Sequence, residues 1–392
     1  MIDCAVIGGG VAGALAALDL RTRGHQVSLF AHTEGASALC AGPWDAALHS
    51  NNVSNDERAL HDVLPWAAAT LDRIRALCPG LIARPTGGPL PLLVSELGRT
   101  RRTVAHDPAM LDLSRLPRGR IAVATLAGHP SWEGRQIARA LDAEALARGE
   151  ARRFAAVEID FLRRGRDRVL HAHELAAELD VAKDDPRRGI DARYVMSEAV
   201  RAGLGGLSFD AVLVPPILGL VSDDVRSELE AAVGIPVGEA IGLLPGAAGA
   251  RLMRRLHRAL AALGVPEVRA QIEAVTPDAD SVTLRWGGES ARARTLIVAT
   301  GKRLGGGIAT RGAESTETLL GAALMGSSST SGIELGPWGR VAHLPEALEG
   351  KLIFACGAVL STHTGVGELL DVARSALAAS AAAHDALLSS VV

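Results

Sequence analysis

An α/β fold is predicted for this chain: a parallel nucleotide-binding sheet interrupted by an inserted second α/β unit. Three observations predict it. An apolar strand runs straight into a glycine-rich turn at residues 8–13, a second apolar strand ends in Ala299-Thr300-Gly301, and strand and helix patterns alternate over the long stretch between them. The first segment, Ile2-Asp3-Cys4-Ala5-Val6-Ile7 followed by Gly8-Gly9-Gly10-Val11-Ala12-Gly13, reads as strand, tight turn and helix. In that context the glycines have separate tasks. Gly8 permits the sharp exit from the strand, Gly10 lets backbone approach a pyrophosphate, and Gly13 lets the helix lie close on the strand. The first amides of the helix and the positive end of its dipole then face bound phosphate.

The second half of this unit departs from the usual pattern. Gly24 ends the helix, and Gln26 to Phe30 reads as the second strand. A carboxylate is expected at the end of that strand to hold the adenosine ribose. Spacing assigns the slot to Ala31, which has no side-chain acceptor, while Glu34 lies about a turn further on.

Length and composition bound the rest. A chain of 392 residues is long for one core and predicts two domains. With 41 basic and 44 acidic side chains, no net field points to nucleic acid or to anionic lipid. Cys4, Cys40, Cys78 and Cys356 form no CxxC pair, so zinc and iron–sulfur sites are not expected, and reduced thiols in a cytoplasmic protein are. Met1 leads directly into the first strand, and the longest apolar stretch, 211–221, is too short to cross a bilayer and contains Pro215-Pro216. Membrane attachment is therefore expected only through a partner.

Along the chain, residues 35–50 read as a small-residue loop able to lie against a cofactor. Residues 56–77 read as a helix, and 79–120 as irregular, with Arg99 to Arg102 a solvated turn and a phosphate-contacting patch the alternative. Strands are predicted at 119–126, 154–161 and 209–215. Helices are predicted from Ser131, as N-cap, to Ala147, and over 171–179, 185–202 and 222–233. Ala247 to Leu263 reads as an amphipathic helix whose Arg and His residues form a solvated face. Val268 to Val275 and Ser281 to Trp286 read as a hairpin, 352–360 as a last strand, and Gly367 to His384 as a closing helix.

Taken in order, GGGVAG at 8–13, LIVATG at 296–301 and LIFACGAVL at 352–360 resemble the two-dinucleotide-binding-domain flavoproteins. The expected fold is thus a Rossmann-like FAD/NAD(P)-binding domain formed by residues 1–84 and 246–392, with 85–245 inserted. Further segments resemble the B-subunit family of anaerobic glycerol-3-phosphate dehydrogenase: Gly35-Ala36-Ser37-Ala38-Leu39, Val212-Leu213-Val214-Pro215 with Leu218-Gly219-Leu220, Leu243-Leu244-Pro245 with Gly249-Ala250-Arg251-Leu252, and Gly305-Gly306-Gly307-Ile308. The resemblance implies a flavin-dependent, quinone-linked oxidoreductase subunit acting on a small molecule. It would work with a second flavoprotein dehydrogenase subunit and an iron–sulfur subunit, in the cytoplasm or peripheral to the inner membrane through that complex. FAD is the implied cofactor, with FMN the alternative. Its site would comprise Gly8, Gly9, Gly10, Val11, Ala12, Gly13, Ala31, Glu34, Ala299, Thr300, Gly301, Gly357 and Ala358. Related flavoproteins place an Asp after the last glycine to hold the ribityl chain; here that position is Ala358. Losing two such acids, each worth about 1–2 kcal/mol, weakens flavin binding by about one to three orders of magnitude.

For the base that a flavin dehydrogenase needs, histidine is the natural residue near neutral pH. Of the twelve histidines, His49, in the loop after the second strand, and His363, in the turn after the last strand, are the candidates. Lys302 and Arg303, after the Ala-Thr-Gly strand, are read as loop charges, the alternative being that they neutralise a phosphate or a reduced flavin. No metal site is expected. The alternative function is a flavoprotein-like scaffold subunit that has lost its flavin and holds partner subunits.

Overall fold

The computed structural model describes residues 1–45, 57–83, 89–126, 129, 132–160, 171–180, 192–242, 246–311, 314–325, 332–360 and 369–390. The chain opens with β1 (Ile2–Ile7), α1 (Val11–Thr22) and β2 (Val27–Phe30), followed by α2 (Glu57–Leu77). Next come β3 (Arg118–Leu126), α3 (Gly134–Ala147), β4 (Ala151–Ile159), α4 (Ala172–Leu179), α5 (Ala192–Leu204), β5 (Ala211–Val214), α6 (Val225–Val233) and β6 (Val237–Glu239). The last stretch holds α7 (Ala247–Ala262), β7 (Glu267–Val268), β8 (Ala274–Pro277), β9 (Val282–Trp286), β10 (Glu289–Val298), β11 (Ile353–Ala355) and α8 (Leu369–Ser389).

Two main sheets result. The first takes its strands from both ends of the chain, in the order β7-β2-β1-β10-β9-β8, with β11 also paired to β10. Its centre, β1 flanked by β2 and β10, is parallel, in the register Val6↔Leu29 and Val6↔Ile297. Both faces of this centre are covered, which is why these strands read as continuous apolar runs. On one side α1, α2, α7 and α8 pack Leu15, Leu18, Leu71, Leu256 and Ala376 against Val6 and Ile297. On the other, Ala5, Val298, Ile353 and Leu320 form a separate core. Asp19 of α1, 1% exposed, ties three helices together: it accepts from Arg23, from Arg73 of α2 and from Ser380 of α8 (2.6 Å).

The second sheet has the order β6-β5-β3-β4 and is wholly parallel. Alternate residues of β3 point to opposite faces, as the period of two requires. Ala122, Ala124 and Leu126 meet α4, α5 and α6, while Ile121 and Val123 meet α3. The observed α/β fold with a Rossmann-like parallel sheet is the one the sequence predicts.

Several expectations are corrected. The 268–275 strand is two pieces: Val268 ends β7, which pairs parallel with β2, and only β8 joins β9 as a hairpin. Arg99 to Arg102 is not a solvated turn, because Thr100–Arg102 pairs antiparallel with Leu92–Val94 and Arg101 is ion-paired to Asp45. The helix predicted from Ser222 begins at Val225 because Asp180 binds the amides of Leu220, Val221 and Ser222 in a loop first. The helix after β3 begins at Gly134 with Glu133 as its cap. Ser131 itself, residues 185–191 and Leu243-Leu244-Pro245 lie outside the described residues. The largest correction concerns α7. Its basic residues are not simply a solvated face: Arg251 is 1% and Arg255 7% exposed.

Candidate functional site

The three glycine-bearing segments come together at the carboxyl ends of β1 and β10, where open α/β sheets place their ligands. Gly8 has φ +128°, and a Cβ there would lie 2.1 Å from the Ala299 carbonyl oxygen. A Cβ on Gly13 would lie 1.9 Å from the Gly8 carbonyl oxygen, so α1 can sit this close to β1 only with glycine. Gly357 closes the group from the third segment, since its Cβ would fall 2.6 Å from that of Ala12. Its amide donates to Ser375 Oγ of α8 (2.8 Å). Thr300 follows β10, and its buried hydroxyl has no partner among the described residues. Gly301 accommodates the close return of Gly305.

The loop after β2 folds over this turn. The amide of Val11 donates to Ser37 Oγ at 3.0 Å, although 26 residues separate them. Gly10, the helix cap, has no side chain of its own to do this. Ser37 therefore holds an oxygen at the amino end of α1, where an acceptor is favoured by free amides and by the helix dipole. A Cβ on Gly10 would come within 3.0 Å of the same hydroxyl. The cradle fits a pyrophosphate. The ribose end fits less well. Ala31 spends its amide on Val268 (3.0 Å), its carbonyl accepts from Ala270 (3.1 Å), and it offers no carboxylate. Glu34 is exposed in the loop. Ala358, half-buried after Gly357, brings no acid to the ribityl position.

Of the residues expected to form the site, the structure thus brings together Gly8 to Gly13, Ala299, Thr300, Gly301 and Gly357 with Ala358. His49 and His363 lie outside the described residues. The described chain nevertheless brings the borders of their two segments together: the Leu370 amide donates to the Asp45 carbonyl oxygen (3.1 Å). Sequence reasoning missed Ser375 and Asp45. Nothing local marks either one, since each acts on a residue far away in the chain. Burial pushes the Asp45 carboxyl up, against the opposing pull of Arg101 and of the Thr103 hydroxyl. The thiols of Cys4, Cys40, Cys78 and Cys356 are all free and all raised, chiefly by burial. Among the described residues no group of His, Cys, Asp and Glu is arranged to hold a metal ion. No described helix is long and apolar enough to cross a membrane.

Where the second sheet meets the first, Arg251 of α7 lies between Glu239 (2.5 Å) and Asp107 (3.3 Å) and donates to the Gly219 carbonyl oxygen (2.6 Å). Arg255 adds a second cation on Asp107 (3.0 Å). Burial works against the charge on Asp107, but the two guanidinium groups outweigh it and hold the carboxyl below its usual range. A Cβ on Gly249 would lie 2.0 Å from the Ala38 carbonyl oxygen, so α7 also braces the loop that carries Ser37.

Residues 3–177 match the family model of the FAD binding domain. That stretch runs from β1 through α4, so this part of the chain is similar to an FAD binding domain, and FAD is the cofactor it supports. No curated protein matches the chain. Among solved structures, it is similar to p-nitrophenol 4-monooxygenase from Pseudomonas putida, with 14% identity over 79% of this chain and 43% of that one and a TM-score of 0.29. Glycine oxidase from Geobacillus kaustophilus gives 17% identity over 78% and 57%, with a TM-score of 0.28. An oxidoreductase from Agrobacterium tumefaciens gives 15% over 99% and 98%, with a TM-score of 0.25. The chain spans about half the length of the first two.

Proposed function

We propose that this flavoprotein is a B-type component of a quinone-linked glycerol-3-phosphate dehydrogenase. It would act with a second flavoprotein subunit and pass electrons through an iron–sulfur subunit. The observation that carries this reading is spatial. Three of the segments whose sequence resembles that family, 35–39, 218–220 and 249–252, meet around one residue: Arg251 donates to the Gly219 carbonyl oxygen, and Gly249, two residues earlier, abuts Ala38. A resemblance scattered in sequence is therefore contiguous beside the flavin cradle.

Bound FAD supplies the hydride acceptor. The chain's own residues hold it: the turn at residues 8–13 receives the pyrophosphate, Ser37 and Gly35 close over it, and the Gly357 turn lies against α1. His49 and His363 are the proposed bases. The missing acids at Ala31 and Ala358 support a site that depends on a partner. The test is dye-linked oxidation of glycerol 3-phosphate by the purified chain, alone and with its partner subunits. Turnover that requires the partners is the expected result. Rapid turnover by the chain alone overturns the dependent-subunit reading, and no turnover in either case favours a scaffold role.

A further inference from the structure

The ion pair of Asp45 and Arg101 joins two short antiparallel strand pairs, and its guanidinium keeps a nitrogen with no acceptor among the described residues. Asp45 directly follows Pro43–Trp44, a short strand paired with Ala105–His106 and anchored by Trp44, which is 1% exposed. Arg101 comes from the hairpin of Leu92–Val94 with Thr100–Arg102. Its Nη2 donates to Asp45 Oδ2. The Asp45 side chain is 14% exposed and that of Arg101 42%, so the pair has one buried and one open side. Arg101 Nε is buried and has no acceptor among the described residues. A guanidinium is a rigid fork of five N–H donors shaped for a planar or tetrahedral oxyanion. Here one arm is fixed by a carboxylate, and a neighbouring donor is desolvated without a partner.

One helix, α8, ties the backbone of Asp45 to the cofactor cradle. The Asp45 carbonyl oxygen accepts from Leu370, and five residues further along the same helix Ser375 Oγ holds the Gly357 amide. Five residues of α-helix rise about 7.5 Å, so α8 meets the Asp45 backbone and the Gly357 amide about that far apart along its axis. The nearby cation of α8, Arg374, is stacked on Trp66 at 4.6 Å.

We propose that Arg101 is the residue that recognises the anionic group, a phosphate or a carboxylate, of this protein's substrate. Asp45 is the positioning residue that aims its guanidinium. This deepens the flavin-dependent reading and rests on it, naming a small anionic substrate for the same site. An oxyanion on the open side of Arg101 meets the guanidinium that Asp45 holds from the buried side, and Asp45 prevents the long side chain from swinging into solvent.

The experiment titrates the purified, flavin-containing protein with inorganic phosphate and, separately, with acetate, using calorimetry and thermal melts. Chloride at matched ionic strength is the control. Saturable binding of phosphate or of acetate is expected, and whichever binds more tightly identifies the anion. Arg101→Ala should weaken it at least tenfold with flavin absorbance unchanged, and Arg101→Lys should recover part. If Arg101→Ala does not fold, Arg101→Gln, which keeps a donor for Asp45 and loses the charge, takes its place and should weaken binding as much. Asp45→Asn should raise KM more than it lowers kcat. Binding that is unchanged in the Arg101 variants, or reproduced by chloride, overturns the inference. A colourless protein that still binds phosphate through Arg101 overturns the cofactor reading and leaves this one standing.

Discussion

The molecule builds the same strand–turn–helix twice, once at β1–α1 and once at β3–α3. In both, a glycine at the head of the helix lies so close to the strand that a Cβ would overlap backbone. It would stand 1.9 Å from the Gly8 oxygen for Gly13 and 2.3 Å from the Ala124 oxygen for Gly134. The turns between strand and helix differ. At β1–α1 the turn is three glycines closed by a remote serine hydroxyl. At β3–α3 the indole of buried Trp132, just before the helix, donates to the Ala124 carbonyl oxygen (2.5 Å). The imidazole of buried His129 nearby has no hydrogen-bond partner among the described residues and is held low, chiefly by that burial. Close helix-on-strand packing is therefore a device of parallel α/β sheets in general. What makes a nucleotide site is an open turn with amides left for phosphate.

The largest effect tests the seam between the two sheets. Arg251→Ala leaves Asp107 and Glu239 buried with their shared cation gone, and is expected to cost about 3–5 kcal/mol. Urea melts should show this loss, and a change below about 1 kcal/mol would mean that the sheets are not joined through this residue. Next comes the glycine pair. Gly13→Ala and Gly134→Ala should each destabilise by about 2–4 kcal/mol, by forcing helix from strand. Only Gly13→Ala should also strip flavin from the molecules that remain folded, as read from absorbance per protein. Equal flavin loss in both would erase the distinction between the turns.

A smaller, opposite effect is expected at the ribose end. Ala31 Cβ faces Gly9, at 2.8 Å from where a Cβ there would stand. Ala31→Glu should tighten FAD binding about tenfold by supplying the missing acceptor, the size of one charge-assisted hydrogen bond of about 1.5 kcal/mol. Flavin titration monitored by fluorescence quenching measures it, and unchanged affinity would mean that the ribose lies elsewhere.

The smallest effect concerns the edge of the first sheet, which the second has no counterpart for among its described residues. His25 Nε2 and His384 Nδ1 are 2.7 Å apart, linking the start of β2 to α8, with Asp3, Arg23 and Arg294 around them. Burial, and then His384, lower the His25 pKa from 6.5. The folded state thus binds this proton less readily than the unfolded chain. Its contribution is complete above the unfolded value and is lost as pH falls through the folded one. Melting temperature should drop on acidification from neutral pH and drop less in His25→Gln. Parallel pH curves for the two proteins would remove His25 from the account.

Local rules alone dictate the parallel centre of the first sheet, the glycine turn and the alternation that produces the second sheet. Those rules are apolar runs for strands buried on both faces, helical periodicity, and glycine where a Cβ has no room. Even the absent acid at Ala31 was legible, because it is a matter of spacing along one strand. The burial of the α7 arginines was not, since helical periodicity gives a face but not what covers it. Asp107, which with Glu239 neutralises Arg251, comes from 144 residues away. In the same way Ser37 completes the turn across 26 residues, and Asp45 joins Arg101 across 56. Side chains that work on partners so far along the chain leave no periodic trace in the sequence, and folding alone brings them together.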